Sequence, residues 1–192
     1  MVPDATLPDR KQAILEAALA AFLQKGVLAT TIDDVRERSG ASVGSIYHHY
    51  GSKEGIAAAL FVEGMRSYQD GAVDALRRGG VKGFVRRHVQ WVADNPELAT
   101  YLLTQREPSV EQASRPELAE LNRAFFADDR TWNASRDDLK PHPFDLVHAV
   151  VLGPAQEWAR HWLAGNADTA PQRAARVLAD AAWAAVRKET TE

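Results

Sequence analysis

Cysteine is absent from the 192 residues of the chain. Its absence excludes disulfide bonds and thiolate chemistry, and it is typical of a cytoplasmic context. No apolar run approaches the ~20 residues that a membrane-spanning helix needs. The N-terminal residues MVPDATLPDRKQ include acidic side chains in place of the apolar segment of a signal peptide. We therefore expect a cytoplasmic protein with no membrane partner.

An excess of positive charge is absent as well. The formal net charge is −3, with 45% hydrophobic and 26% charged residues, which is ordinary for a globular protein. Residues 1–56 carry no surplus of Lys and Arg over Asp and Glu, so composition alone does not indicate nucleic-acid binding. The length allows one large domain or two small ones with a substantial core.

Convincing strand patterns are also absent, because apolar residues recur at helical spacing along the whole chain. In the first helix Ile14, Ala18 and Phe22 repeat every fourth residue until Gly26. We predict an all-α protein of about nine helices. The later helices are predicted at 53–78, 81–94, 96–107, 116 onward, 144–164 and 171–188, with Gly79-Gly80 as the first clear break after residue 53.

Residues 30–56, TTIDDVRERSGASVGSIYHHYGSKEGI, predict two short helices joined by a tight turn. Thr31 and Asp34 have the spacing of a capping box, in which each side chain satisfies a free backbone N–H. Gly40 suits a left-handed cap at the end of the first helix, and Ser42 suits the N-cap of the second. This pattern is typical of a helix-turn-helix.

The segments TTIxDV, GAS and GSIYHHYGSK, after an IlexxAAxxxF helix that ends at Gly26, resemble the DNA-binding domain of TetR-family transcription regulators. The resemblance covers roughly the first 60 residues. It implies a helix-turn-helix domain at 1–52 and an effector-binding and dimerisation domain at 53–192, connected by the helix 53–78. The implied function is a repressor that binds an inverted-repeat operator as a homodimer and is released by a small-molecule effector.

The resemblance also implies roles for individual residues of the helix-turn-helix. Contacts to phosphates fix the position of a protein on DNA, whereas contacts to base edges specify the sequence. Phosphate contacts are expected from Thr31, Tyr47 and Lys53. The candidates for the groove are Ser42, Val43, Ser45, His48 and His49, with Gly44 on the same outward side of the helix.

Two positions depart from the family pattern. Val43 stands where many members have lysine, and a valine can only touch a thymine methyl group or pack on sugar. Arg36, four residues before Gly40, stands where a small residue usually packs between the two helices. Either its aliphatic stem lies along the apolar surface with its head in solvent, or the two helices cross at a different angle.

Large aromatic side chains are frequent after residue 60, and the resemblance implies a ligand cavity among the middle helices. Such cavities are lined mainly by apolar and aromatic groups with a few polar ones. The expected effector is therefore a small apolar or aromatic molecule. The candidate effector-binding residues are Met65, Tyr68, His88, Trp91, Tyr101, Gln105, Phe125, Phe126 and His148.

The last two predicted helices, 144–164 and 171–188, carry apolar residues at spacings of three and four. One apolar stripe on each helix must cover the core of its own subunit. A second apolar face would allow a four-helix interface between two subunits. We therefore predict that the homodimer forms through these helices.

The sequence also contains patterns typical of two classes of enzyme, a hydrolase and a metal-dependent enzyme. Residues 40–44 match the G-x-S-x-G of a hydrolase nucleophile elbow, but that elbow follows a buried strand, and here a charged amphipathic helix precedes it. Glu157 and His161 lie one helical turn apart with His148 on the same helix, yet a zinc site needs three or four converging ligands. We expect no enzyme, metal or cofactor; an architectural DNA-binding protein without a ligand is the remaining alternative.

Overall fold

The computed structural model describes residues 10–104, 107–126, 139–140 and 142–188. These residues form nine helices and no strand, apart from an isolated bridge between Leu139 and Arg187. The predicted all-α class is therefore confirmed. The helices are α1 (Arg10–Ala29), α2 (Ile32–Ser39), α3 (Val43–Tyr50), α4 (Lys53–Gln69), α5 (Ala72–Asp94), α6 (Pro96–Thr104), α7 (Pro108–Phe126), α8 (Phe144–Leu163) and α9 (Pro171–Val186).

Helix α1 is the central element of the N-terminal domain. Its Ile14, Ala18 and Phe22 are fully buried, as their fourfold spacing predicts. Contrary to the expectation from sequence, α1 is long and apolar enough to cross a membrane by length and composition alone. Its apolar stripe is instead buried against α2, α4 and α6. Gly26, with φ +78°, interrupts the helical geometry, so residues 27–29 form a separate turn.

The predicted helix 53–78 is wrong, because α4 ends at Gln69. Asp70 is extended, and Gly71 takes the left-handed conformation with φ +72° before α5 begins. Apolar spacing runs on across this break, so periodicity alone did not reveal it. Gly80, where a break was predicted, has the non-helical angles φ +55° and ψ −153°, so the helical geometry of α5 is interrupted there.

Helix α7 corrects a second predicted boundary. It begins at Pro108, and Pro116, which was taken as a helix start, lies inside it. Proline favours the first position of a helix because that position needs no N–H donor, and Pro108 and Pro116 are equally suited by residue type. The end of the predicted helix 96–107 is only partly tested, since α6 ends at Thr104 and residues 105–106 lie outside the described part.

Tyr101 of α6 packs against both α1 and α4. It is fully buried, its ring stacks on Phe22 of α1 with centroids 6.0 Å apart, and its hydroxyl donates to the Ala57 carbonyl of α4 at 2.8 Å. A second core cluster lies among α5, α8 and α9. Since the first core cluster runs from α1 into α6, the predicted boundary between residues 52 and 53 crosses a packed core.

Candidate nucleic-acid interface and effector pocket

The predicted capping box of α2 is present. The Thr31 hydroxyl accepts from the Asp34 N–H at 3.2 Å, and the Thr31 N–H donates to the Asp34 carboxylate at 2.9 Å. Lys25 of α1 reaches the same carboxylate at 2.6 Å. The hydrogen bonds from Lys25 and then from Thr31 lower the pKa of Asp34 to about 2. These contacts fix the start of α2 against α1.

Helix α3 is held at its start and along one side. The Ser42 hydroxyl accepts from the Ser45 N–H at 3.2 Å, and Ile46 is buried in the core. The turn before it ends α2 at Gly40 with φ +67°. Because residues 40–44 follow a helix and not a strand, Ser42 is an N-cap and not the serine of a nucleophile elbow.

The opposite side of α3 faces solvent. Val43 is 39% exposed and Tyr47 is 49% exposed, and Ser42, Gly44 and His48 are exposed with them. A Cβ atom at Gly44 would meet no other atom within 4 Å. The exposed side chains therefore flank a bare stretch of backbone, which leaves room for a second molecule to approach closely.

The remaining two groove candidates are less accessible. Ser45 is half-buried, and so is His49, whose ring lies between those of His48 and Tyr50 at centroid distances of 5.3 and 6.2 Å. The Tyr50 hydroxyl donates to the Lys11 carbonyl at 3.0 Å. The His49 side chain therefore packs partly against its neighbours and is only partly accessible on the outward side of α3.

Lys53 begins α4 beside the helix-turn-helix. Its ammonium donates to the Leu28 carbonyl at 2.9 Å, which ties α4 to the end of α1. An ammonium has three N–H donors, so a phosphate contact is compatible with this bond. That contact stays a prediction.

The contacts of Arg36 show where its charged group lies. The guanidinium is paired with Asp33 at 3.0 Å and with Glu37 at 3.2 Å, and the side chain is 41% exposed. Its head therefore stays at the surface, and the two helices accommodate only its stem.

A cavity of about 440 Å³ lies between α4, α5, α7 and α8. Cavities of this size take drug-sized ligands. Four predicted effector-binding residues line it together, namely Met65, Tyr68, Phe125 and His148. The other lining residues are Gln69, Phe84, Asn122, Asp145 and Leu152.

Sequence reasoning missed these five residues, although helical spacing could have found most of them. Gln69 follows Met65 by four positions on α4, and Asn122 precedes Phe125 by three on α7. Asp145 and Leu152 lie three positions before and four positions after His148 on α8. Extending each predicted residue along its helix face would have included them.

Three predicted effector-binding residues do not line the cavity. His88 and Trp91 of α5 pack edge-on behind Tyr68, with ring centroids 5.3 and 5.5 Å from it. The Trp91 indole N–H donates to the Ser67 hydroxyl at 3.1 Å. Tyr101 belongs to the core between α1 and α4 instead. Gln105 and the side chain of Phe126 lie outside the described residues.

The cavity is backed by buried polar atoms without partners. Both ring nitrogens of His88 and the Tyr68 hydroxyl have no hydrogen-bond partner among the described residues. Burial lowers the pKa of His88 to about 4, with a smaller effect from His148, and it also lowers the pKa of His148. Burial raises the pKa of Tyr68. His88 and Tyr68 are therefore neutral at pH 7.

His88 should make the protein sensitive to acid. Its pKa is about 4 in the folded state against 6.5 for the free side chain, so the unfolded state takes up the proton first as the pH falls. Its contribution to the free energy of unfolding is then lost between about pH 6.5 and pH 4, by up to about 3 kcal/mol. His88→Phe should remove this part of the pH dependence in urea unfolding at pH 7.5 and 4.5. His142→Gln, at an exposed histidine, should not; equal acid sensitivity of His88→Phe and the wild type would contradict the assignment.

Among the described residues no group of three or more His, Asp or Glu side chains could hold a metal ion. Glu157 and His161 form an ion pair at 3.2 Å on the surface of α8. The third histidine considered for a metal site, His148, lines the cavity.

The family model "Bacterial regulatory proteins, tetR family" matches residues 14–60. The transcriptional repressor KstR2 of Mycobacterium tuberculosis H37Rv is 44% identical over 51 residues, which cover 27% of this chain and 26% of KstR2. The repressor AcnR of Corynebacterium diphtheriae is 30% identical over 109 residues, covering 54% and 56%. The chain thus matches about a quarter to about half of the length of these curated relatives.

Solved structures extend the likeness of the fold to nearly the whole chain. A TetR family transcription regulator from Marinobacter aquaeolei VT8 superposes with a TM-score of 0.70 at 23% identity, covering 94% of this chain and 96% of the other. FadR of Bacillus subtilis, solved in complex with stearoyl-CoA, gives a TM-score of 0.70 at 15% identity, covering 89% and 96%. Residues 14–60 are therefore similar to the tetR family of bacterial regulatory proteins, and the chain as a whole shares its fold with these solved structures.

Proposed function

We propose that this protein is a transcriptional repressor that binds an inverted-repeat operator as a homodimer. It leaves the operator when a small molecule enters the cavity between α4, α5, α7 and α8. The observation that carries the proposal is the outward side of α3, where Val43, Tyr47 and His48 are exposed above the buried Ile46. A helix presented in this way fits the major groove of B-DNA. The names of the relatives KstR2 and AcnR, both repressors, support the sign of regulation.

The residues of α3 divide by what they can recognise. Val43 and Gly44 have no side-chain donor or acceptor, so they suit a thymine methyl group or a close approach to sugar. Ser45 and His48 are the polar groups that can reach base edges. Thr31, Tyr47 and Lys53 lie at the helix starts and edges, where phosphate contacts would fix the register.

The dimer is proposed to form through α8 and α9. Leu146 and Val150 of α8 are 53% and 42% exposed, and Val177 of α9 is 57% exposed. The opposite faces are used by the subunit itself, since Val151 and Ala182 are buried in the second core cluster. A row of exposed aliphatic side chains indicates an association surface. Two copies paired on this face would form a four-helix interface.

Helix α4 is the proposed connection between cavity and DNA. Its first residue, Lys53, adjoins the helix-turn-helix, and its last turn places Tyr68 and Gln69 in the cavity. Gln69 donates to the Asn122 side-chain oxygen at 2.8 Å, which ties the end of α4 to α7. A ligand that displaces Tyr68 or breaks this bond would tilt α4. The solved complex of FadR with stearoyl-CoA supports ligand binding by a protein of this fold.

Such a tilt would act on both copies of α3 in the dimer. A dimer of helix-turn-helix domains places its recognition helices about one DNA turn apart, ~34 to 36 Å, so a small change in angle spoils the fit. The ligand and the operator are then linked by a coupling free energy, typically ~1 to 3 kcal/mol. The ligand weakens the affinity for operator DNA, and operator DNA must weaken the affinity for the ligand by the same factor.

Lys53→Ala tests the DNA-binding role of this surface. Loss of one phosphate contact should weaken binding to all sequences and reduce the slope of log affinity against log salt by about 0.9. Val43→Thr should instead change the relative affinities of different operators. Binding is measured by fluorescence anisotropy between about 50 and 200 mM salt.

Arg78→Ala is the matched control for Lys53, because Arg78 is 80% exposed and lies within α5, outside the helix-turn-helix. It should leave both affinity and salt slope unchanged. An unchanged affinity and slope for Lys53→Ala would remove Lys53 from the DNA interface. Because Lys53 also holds the Leu28 carbonyl, urea unfolding of the variant separates a loss of contact from a loss of structure.

A further inference from the structure

The charge of the cavity is set by one residue. Among the nine described residues that line the cavity, Asp145 is the only Asp, Glu, Lys or Arg. Gln69 and Asn122 are amides, and partial burial lowers the pKa of His148, which disfavours its charged form. Asp145 has no ion-pair partner in the described part of the chain.

Two positive influences act on residues of the lining, one on Asp145 and one on Tyr68. Asp145 lies in the first turn of α8, where the helix dipole contributes a partial positive charge of roughly 0.5. Arg87 approaches Tyr68 from behind, but its guanidinium donates to the Asp70 carbonyl at 2.9 Å and does not line the cavity. The described lining therefore carries one carboxylate and no lysine or arginine.

The walls of the cavity are suited to a cation with an apolar body. Tyr68, Phe84 and Phe125 present aromatic rings, and the faces of such rings attract cations. Met65 and Leu152 supply aliphatic surface between them. The amide pair of Gln69 and Asn122 keeps an acceptor oxygen and a donor N–H available, since Gln69 uses only its nitrogen in the bond to Asn122.

We propose that the cavity selects a lipophilic monocation, an amine with an aromatic or aliphatic body, whose ammonium group lies beside Asp145. The same carboxylate disfavours organic anions, including carboxylates and coenzyme A thioesters. This inference rests on the proposed function for its regulatory meaning, but the selectivity itself is a property of the cavity. Asp145 is the residue that determines it.

Three probes with the same ring system test the selectivity: 1-naphthylmethylamine, 1-naphthalenemethanol and 1-naphthoate. Their affinities for the full chain are measured by calorimetry at pH 7.5 without DNA. The amine should bind most tightly and the carboxylate least, with a ratio between them on the order of tenfold, which corresponds to about 1.4 kcal/mol.

Asp145→Asn should reduce that ratio to near one while the affinity of the alcohol stays the same. Glu97→Gln is the matched control, because Glu97 is an exposed acid in the first turn of α6 and lies outside the cavity. It should leave the ratio as in the wild type. Leu152→Trp, which fills the cavity, should abolish binding of the amine.

Each contrary result overturns a defined part of the proposal. Tighter binding of 1-naphthoate than of the amine, or a ratio that survives Asp145→Asn, would show that Asp145 does not select the ligand. Binding of the amine to Leu152→Trp would place the site elsewhere. Absence of binding by all three probes would also overturn the inference. Operator binding is measured on the same protein in the absence of the probes. Failure to bind DNA, with the expected selectivity among the probes, would count against the proposed function and not against this inference.

Discussion

Replacing Val177 with glutamate is expected to convert the protein into monomers and to weaken operator binding on the order of a thousandfold. Val177 is 57% exposed on α9, which packs against α8, the helix of the exposed Leu146 and Val150. A buried carboxylate in an aliphatic interface has no partner and carries a large desolvation cost. A monomer binds one half-site, so it loses the ~10²- to 10⁴-fold gain that comes from linking two binding events.

Sedimentation velocity and a titration of labelled operator measure the two effects of Val177→Glu. Ala119→Glu provides the control, since Ala119 is exposed on α7, away from α8 and α9. It should remain a dimer with unchanged operator affinity. If Val177→Glu sediments as a dimer, this surface is not the interface between subunits.

Tyr101→Ala is expected to lower the free energy of unfolding by about 4 kcal/mol. Removing a fully buried aromatic side chain typically costs ~3 to 5 kcal/mol, because apolar burial is lost and a cavity remains. Here the ring stacks on Phe22 and the hydroxyl bonds the Ala57 carbonyl, so the loss falls on the junction of α1, α4 and α6. Urea unfolding measures the loss.

Tyr101→Phe separates packing from the hydrogen bond at this junction. It keeps the stacked ring and removes only the hydroxyl, so it should cost about 1 kcal/mol. A cost as large as that of Tyr101→Ala would mean that the hydrogen bond, and not packing, dominates. A cost below about 1 kcal/mol for Tyr101→Ala would contradict the role of Tyr101 in holding α1, α4 and α6 together.

Features that depend on local chemistry could be predicted from the sequence. The capping box of Thr31 and Asp34, the left-handed cap at Gly40 and the N-cap at Ser42 are all present. Each needs only residues within a few positions of one another, so the sequence contains the whole interaction. The start of α4 after Ser52 is predictable for the same reason.

Features that depend on distant contacts were predicted less well. Apolar spacing predicts that Tyr101 is buried, but not that Phe22 and Ala57 surround it in place of a ligand. Helix α4 stops at Gln69 although its apolar pattern continues, because Gly71 turns the chain so that α5 packs beside α4. Spacing within one helix relates Gln69 to Met65 and Asn122 to Phe125, but which face of each helix borders the cavity depends on four helices at once.

We expect the exposed side of α3 to read an inverted repeat in DNA. The most direct measurement is selection of genomic DNA fragments by the full chain, followed by sequencing of the bound fraction. Enrichment of a shared inverted repeat whose half-sites lie one helical turn or a multiple apart is the predicted result. A variant with Val43, Tyr47 and His48 all changed to alanine should lose that enrichment. No enrichment by the wild type, or equal enrichment by the variant, would contradict the claim.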